Sequence, residues 1–475
     1  MDNNRKTLIL KLIKTMFLIL VWVSLGLSSE ITGVTLQDLR ERTGSDYEQI
    51  SQAVAMRMTG MGVGALFGGW LMTKLTRFND LILALSLTIG GILGVGIAYT
   101  TYLQAMYLEF TIQGIAETFI AIAGQQSLIK LWKEKSDSPM HILHCGYGAG
   151  SFLVPQIVKP FLSTRVAATA SSFYIENCFN KTNSSQEVKT EVNITEQDIQ
   201  PENNNFEYGY LIVTAIEFVI AVVFYIYFWF NRKGEVGYQV EESQADSDAP
   251  KTMREMFSFN SCSPGHPWYA AILFCFLVIW FYIAVGGQMV FANYLYSYTR
   301  DLLCLNTDTA ANIQSGFWIG FTAGRFAGFV VAIWIPMKVL TFLEAGGNMV
   351  SALVLYFSSE NVTIIWIFAC VSGFFVGPLY PTGIAWANRY ITLTGVGYTL
   401  TLLGGAAAGV SFTVAIGWFF ENTGPQPMLY FVVGYSALAC SLAIFMHLVA
   451  RTRGDKYERE RRNRTSDTVE LSSKD

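Results

Sequence analysis

Gly60-Met-Gly62-Val-Gly64-Ala-Leu-Phe-Gly68 lies inside an apolar run, and Gly60, Gly64 and Gly68 recur every fourth residue. That spacing puts them on one face of a helix, where a missing side chain lets a second backbone come close. The same ridge returns as Gly316-Phe-Trp318-Ile-Gly320-Phe-Thr-Ala-Gly324-Arg325-Phe-Ala-Gly328. Helices in lipid associate through such small-residue ridges. Outward from the first ridge the chain divides into about twelve apolar runs, each near the ~20 residues needed to cross the hydrocarbon core. The first six are 10–37, 50–73, 80–100, 103–131, 140–162 and 208–230. The second six are 268–298, 311–335, 338–358, 363–387, 394–420 and 428–450.

Composition requires the same solvent. Of 475 residues 52% are apolar and only 14% charged, well under the roughly 25% charge of soluble domains. Mean hydropathy is +0.36. A net charge of −4 and the lack of a basic stripe exclude a nucleic-acid partner. Seven cysteines without a CxxC pair suggest neither a disulfide framework nor a zinc site. The basic Met1–Lys14 segment resembles a signal-peptide start, but no small-residue cleavage site follows and more spans do. It reads as the flank of the first helix.

With the N-terminus inside, 23 Lys/Arg fall on the cytoplasmic side, 7 on the outer side and 2 within spans, together the chain's 32. Glycosylation sequons at Asn180, Asn183, Asn193 and Asn361 fall outside in this arrangement. Another at Asn463 falls inside and is expected to be silent. The expected organisation is an N-terminal six-helix bundle over 1–230, with a glycosylated outer loop at 164–206. A cytoplasmic linker over 231–266, a second bundle over 267–450 and a cytoplasmic tail over 451–475 follow. Gly114, Gly146 and Gly150 reappear 259 residues later as Gly373, Gly405 and Gly409, which suggests a duplicated unit. The fold class read from these features is an all-α membrane protein of twelve spans in two halves, both termini cytoplasmic.

An ionisable side chain at the centre of a span costs roughly 2.5–3.5 kcal/mol on insertion scales, so each is a functional candidate. Glu30, Arg57, Glu109, Glu117, Glu217, Arg325 and Glu344 qualify. Glu117 is the deepest acid and shares a polar stripe with Gln113 and Gln125. A carboxylate facing a wet cavity holds Na⁺ or carries a proton, so Glu117 and Glu30 are the cation-coupling candidates. The structural alternative is charge pairing with Arg57, for which Arg325 is the second-half candidate. Glu109, Glu217 and Glu344 are placed nearer the interfaces.

Gln125, Gln288, Asn293 and Asn388 can hydrogen-bond a polyhydroxylated solute. Trp318 and Trp386 can stack on its apolar face, or can simply be packing residues. Pro378 and Pro381 remove two backbone donors and should kink the tenth span, making it a gating element. His141 and His144 read as helix-end residues. Cys178 and Cys304 both fall outside and could pair. No nucleophile elbow, Walker loop or HExxH occurs, so the chain is not read as an enzyme and needs no cofactor beyond a coupling ion, Na⁺ or H⁺. The expected partners are a small polar solute and the lipid bilayer. The chain reads as a monomer, most simply in the plasma membrane. An H⁺-coupled or uncoupled facilitative carrier of another small polar solute is the alternative among transporters, and a membrane receptor that binds without translocating is the alternative from another class.

Gly64-Ala-Leu-Phe-Gly-Gly-Trp-Leu-Met-Thr73-Lys74-Leu-Thr76-Arg77 resembles the loop signature of the major facilitator superfamily, with Thr73 at the usual Asp position and Thr76 at a usual Gly. Gly33-Val-Thr35-Leu36-Gln-Asp38-Leu39-Arg40 is similar to a stretch of the sodium-dependent glucose transporters within that superfamily, distant relatives of fucose–proton symporters. Further matches are Leu143-His144, Gly148, Gly150, Pro155, Pro160-Phe-Leu-Ser163, Tyr296-Ser297-Tyr298, Phe317-Trp318 and Gly324-Arg325. The resemblance implies Na⁺-coupled uptake of glucose or a related hexose by alternating access. That branch places its span-four acid one turn beyond Glu117, where this chain has Ala121.

Overall fold

The computed structural model describes residues 3–132, 137–162, 205–232, 263, 266–391 and 395–455. Among these the fold is all-helical. The first six helices are α1 (Asn3–Thr43), α2 (Tyr47–Lys74), α3 (Asn79–Tyr99), α4 (Leu103–Trp132), α5 (Asp137–Val158) and α6 (Glu207–Arg232). Then come α7 (Pro267–Asp301), α8 (Thr307–Val331), α9 (Met337–Phe357), α10 (Val362–Val376), α11 (Leu379–Tyr390), α12 (Gly395–Asn422) and α13 (Pro427–Arg451). Asn180, Asn183, Asn193, Asn463 and Cys178 lie outside the described residues, as do most of the 164–206 loop, the 231–266 linker and the tail.

Short polar residues start several helices. Asp46 and Gln49 form a reciprocal capping box at α2, with Gln49 N donating to Asp46 Oδ1 at 2.7 Å. Asn306 caps α8, and Asn361 caps α10 by accepting from Ile364 N at 3.2 Å. The Asn361 cap uses the side-chain oxygen and leaves the amide nitrogen, the atom a glycan would take.

Eight spans among the described residues are long and apolar enough to cross a membrane, α10 and α11 together counting as one. The long helices that fall short are α2, α4, α5 and α8. These carry Arg57, Gln113 and Glu117, Ser151, and Gln314 and Ser315, all buried. Their polarity is turned inward, so hydropathy understates them.

The packing repeats. In the first half α1 packs on α5, α2 on α4, and α3 on α6. In the second half α7 packs on α12, α8 on α10, and α9 on α13, the same three pairings. The glycine ridges make the closest of them. A Cβ at Gly114 would land on the Arg57 carbonyl oxygen, and one at Gly373 on that of Phe317. The halves meet through α2 on α12, α5 on α8, and α1 on α7.

That seam is latched at one end. Gln37 Nε2 donates to Asp301 Oδ1 at 2.7 Å, and the Tyr47 hydroxyl to Asp301 Oδ2 at 2.5 Å. Tyr47 N donates to Glu421 Oε2 at 3.0 Å, and Tyr294 to Ser51 Oγ at 2.6 Å. Gln156 Nε2 reaches Ser315 Oγ at 2.9 Å, and Lys159 pairs with Asp308 at 3.4 Å. All these groups lie toward the end of the molecule where α1 finishes. No hydrogen bond joins the halves at the opposite end among the described residues. There the first half has its own buried ion pair, Lys14 Nζ on Asp80 at 2.9 Å, with the ammonium 5.1 Å from the Tyr227 ring centroid. Lys14, a flanking cation by sequence, is therefore an interior residue.

Candidate ion and solute site

Helical spacing aims four helices of the first half at one point. On α1, Ser28, Ser29 and Glu30 are buried; Arg57 on α2, Gln113 and Glu117 on α4, and Glu217 on α6 are buried beside them. Arg57 is 0% exposed, and its Nη1 donates to the Ser29 carbonyl. No carboxylate comes within ion-pair distance of it among the described residues. It is nevertheless the basic group that acts electrostatically on Glu30 and on Glu117. Gln113 Nε2 donates to Ser28 Oγ at 3.2 Å, and Glu217 lies against Ser28, within electrostatic range of Glu117. The cluster thus holds three carboxylates around one guanidinium. An unpaired buried carboxylate is costly, so such a group must take up a proton or a cation.

Tyr147 on α5 connects the cluster to the other half. Its hydroxyl donates to Glu30 Oε1, and its ring stands 6.2 Å from that of Trp318 on α8, edge to face. Trp318 is buried and its indole nitrogen has no partner. Arg325, two turns further on α8, is in electrostatic range of Tyr147. Its Nε donates to the Gly377 carbonyl at 3.1 Å and its guanidinium sits 4.3 Å from the Phe321 ring centroid. Among the described residues it makes no ion pair.

Glu30, Arg57, Glu117, Trp318 and Arg325 are therefore brought to one region of the seam. Asn293 is near it on α7, its Nδ2 donating to Thr413 Oγ1 at 3.2 Å. Gln125 and Gln288 are half-buried, and their amides make no hydrogen bond among the described residues. Trp386 is elsewhere: it is buried inside the second half, its indole donating to His447 Nε2 at 3.1 Å and its ring 4.7 Å from Tyr390. Asn388, on the same short helix, has no contact that ties it to the cluster. Pro378 stands in a true break between α10 and α11, and Pro381 in the first turn of α11.

Glu217 and Glu344 are buried, as Glu30 and Glu117 are. Tyr147 and Ser29 were missed. The one signal for Tyr147 was its place within the Gly146–Gly150 ridge, where an aromatic ring must project toward a closely packed neighbour. A groove of about 430 Å³ along α12, lined by Glu48, Val410, Ser411, Val414, Ala415, Trp418 and Phe419, shares no residue with the cluster. Its lining is apolar apart from Glu48 and Ser411. Cys304, at the latched end, is disulfide-bonded, while Cys145, Cys275, Cys370 and Cys440 are free.

A family model for the Major Facilitator Superfamily matches residues 18–409. The sodium-dependent glucose transporter 1 of Homo sapiens is 23% identical over 453 residues, covering 95% of this chain and 82% of that one. The sodium-dependent glucose transporter 1A of Mus musculus is 22% identical, covering 90% of this chain and 95% of that one. Among solved structures, the fucose:proton symporter of E. coli superposes with a TM-score of 0.59 at 15% identity, covering 92% of this chain and 99% of that one.

Proposed function

The chain belongs to the Major Facilitator Superfamily, and from that premise we propose that it moves glucose or a related hexose across the plasma membrane together with Na⁺. It is a membrane transporter and not an enzyme. The proposed topology is twelve spans, with α10 and α11 forming one broken span and both termini in the cytoplasm. The Cys304 disulfide supports this orientation, since disulfides persist in oxidising compartments and the proposed topology has the latched end facing outward, opposite the basic flanks.

The observation that carries the coupling is the acid excess at the seam. Glu30 and Glu117 share one buried guanidinium and connect through Tyr147 to Trp318 of the other half. A cation that neutralises this cluster changes the charge of the surface along which the halves must separate. Glu117 would hold Na⁺ with the Ser29 oxygen beside it, and Glu30 would be the second ligand. The free amides of Gln125 and Gln288, with Asn293, would bind sugar hydroxyls, and Trp318 would meet the pyranose face. Two relatives named as sodium-dependent glucose transporters supply the cargo in this reading.

Purified protein in proteoliposomes, with Na⁺ and H⁺ gradients varied separately against a hexose panel, tests it. Wild type should accumulate one hexose under a Na⁺ gradient, and Glu117→Gln should abolish that dependence. Accumulation driven by H⁺ alone would reassign the ion. Counterflow indifferent to either gradient would make it a facilitative carrier, and binding without uptake would make it a receptor. Unchanged Na⁺ and pH sensitivity in Glu117→Gln would remove that residue from the coupling role.

A further inference from the structure

A fourth buried glutamate stands apart from the seam cluster. On α9, Glu344, Asn348 and Ser351 recur at helical spacing and are all buried. Asn348 is fully engaged: its Nδ2 donates to Ser436 Oγ at 2.8 Å and its Oδ1 accepts from Ser372 Oγ at 3.4 Å. Glu344 is only half engaged. It is 4% exposed, its Oε1 accepts from Thr382 Oγ1 at 2.8 Å, and its Oε2 has no partner.

The surroundings supply no counter-charge. The titratable and charged groups on its own helix and on those around it are Asp308 and Arg325 on α8, Lys338 and Tyr356 on α9, Cys370 on α10, Tyr380, Arg389 and Tyr390 on α11, and Tyr430, Tyr435, Cys440, His447 and Arg451 on α13. Arg325 is committed to the Gly377 carbonyl, and His447 to Trp386 and Ala443. Arg389, near the other end of α11, pairs with Asp455. None of these acts on Glu344, whose one polar partner is Thr382. An ionised carboxylate with a bare oxygen and no cation near it is the costliest state this position could take. A metal cation would need a ring of oxygens. Here the Thr382 hydroxyl presents its hydrogen, and the Asn348 oxygen is turned to Ser372. A single proton on Oε2 satisfies the site with no rearrangement.

The place of this acid matters as much as its charge. Thr382 lies in the first turn of α11, just past the Gly377–Pro378 break. A Cβ at Gly328 would sit 3.0 Å from Pro378 Cβ and 3.7 Å from Glu344 Oε1, so acid and break share one contact. We propose that Glu344 is a proton-binding site in the second half, separate from the Glu30–Arg57–Glu117 cluster, whose loading sets the position of α11 against α10. Neutral, the carboxyl only accepts the Thr382 hydrogen bond. Ionised, it draws in that hydroxyl and the positive end of the α11 dipole.

The test uses full-length protein in nanodiscs with no solute, so it stands or falls apart from the hexose reading. Infrared difference spectra between acid and alkaline buffer should show a protonated-carboxyl band in wild type that Glu344→Gln removes. Thr382→Val, which removes only the hydrogen bond to Oε1, should shift that band and not abolish it. It keeps the test open if Glu344→Gln does not fold. Hydrogen exchange of the 374–382 backbone, corrected for its intrinsic pH dependence, should change with pH in wild type and not in Glu344→Gln. A carboxyl band identical in wild type and either variant overturns the proton site. Exchange over 374–382 that is equally pH-dependent with and without Glu344 overturns its link to the break.

Discussion

Tyr147 is the residue on which the two halves of the candidate site depend. Its hydroxyl is the one donor that Glu30 Oε1 has, and Glu30 Oε2 has none. Tyr147→Phe keeps the ring against Trp318 and deletes only the donor. A buried acceptor left bare costs about 1–3 kcal/mol, so the variant should melt earlier than wild type by that amount. The loss should also vanish when Glu30→Leu is already present, because the acceptor that needed the donor is gone. A thermal-melting double-mutant cycle measures this; additive losses would mean the two side chains do not depend on each other. The sequence exposed half of this arrangement. Acids in apolar runs stand out because a charge there is expensive, so Glu30, Arg57 and Glu117 could be read directly. Tyr147 could not, because a tyrosine in a span costs little and its partner is 117 residues away. Trp386 illustrates the converse. Its neighbour Asn388 made it look like a cavity residue, but what claims its indole is His447, on a different helix.

At the scale of elements, glycine and proline were the most legible residues because they act through the backbone alone. Gly60, Gly114, Gly320 and Gly373 each stand where a Cβ would strike a neighbouring carbonyl, so the α2–α4 and α8–α10 pairs are true close crossings. Pro378 and Pro381 give a break and not merely a kink, and the freed atoms explain why it is stable. Pro381 has no N–H for the carbonyl four residues back, that of Gly377, and Arg325 Nε takes that oxygen at 3.1 Å. The Trp280 indole holds the other side of the break through the Leu379 carbonyl at 3.0 Å. Replacing both prolines with Ala restores two in-helix donors, each worth about 0.5–1.5 kcal/mol net. The continuous helix should be at least as stable as the broken one and should turn over on the order of ten-fold more slowly. Initial uptake rates with melting curves on the same preparation check this; unchanged turnover would mean that the break does not flex in the cycle. Hydropathy was the less faithful guide to elements. It undervalued α2, α4, α5 and α8, because the polar groups that depress it face inward.

At the scale of the whole molecule, the pairings of the first half recur in the second, as the 259-residue glycine offset suggested. Where the halves touch was not legible, because nothing in hydropathy ties α1 to α7 or α5 to α8. The contacts are lopsided: the polar bonds across the seam lie toward the end that carries Tyr47 and Asp301. A carrier that alternates must break this latch to admit solute from that end. Its hydrogen bonds to charged groups are worth about 1.5–3 kcal/mol each, few enough for a bound cation and solute to offset. The consequence can be tested with cysteines at positions 37 and 301, in a background where every native cysteine outside the Cys304 disulfide is replaced. A short, reversible bifunctional thiol reagent should bridge Gln37→Cys to Asp301→Cys in the absence of solute. The bridged protein should lose at least nine-tenths of its uptake, about a ten-fold fall, while neither single-cysteine control does. Release of the bridge under reduction mild enough to spare the Cys304 disulfide should restore it. Saturating solute and Na⁺ should protect both cysteines from the reagent if they open the latch. Undiminished uptake by fully bridged protein would mean that solute crosses without parting the halves at this end, and rigid-body alternation about this seam would have to be abandoned.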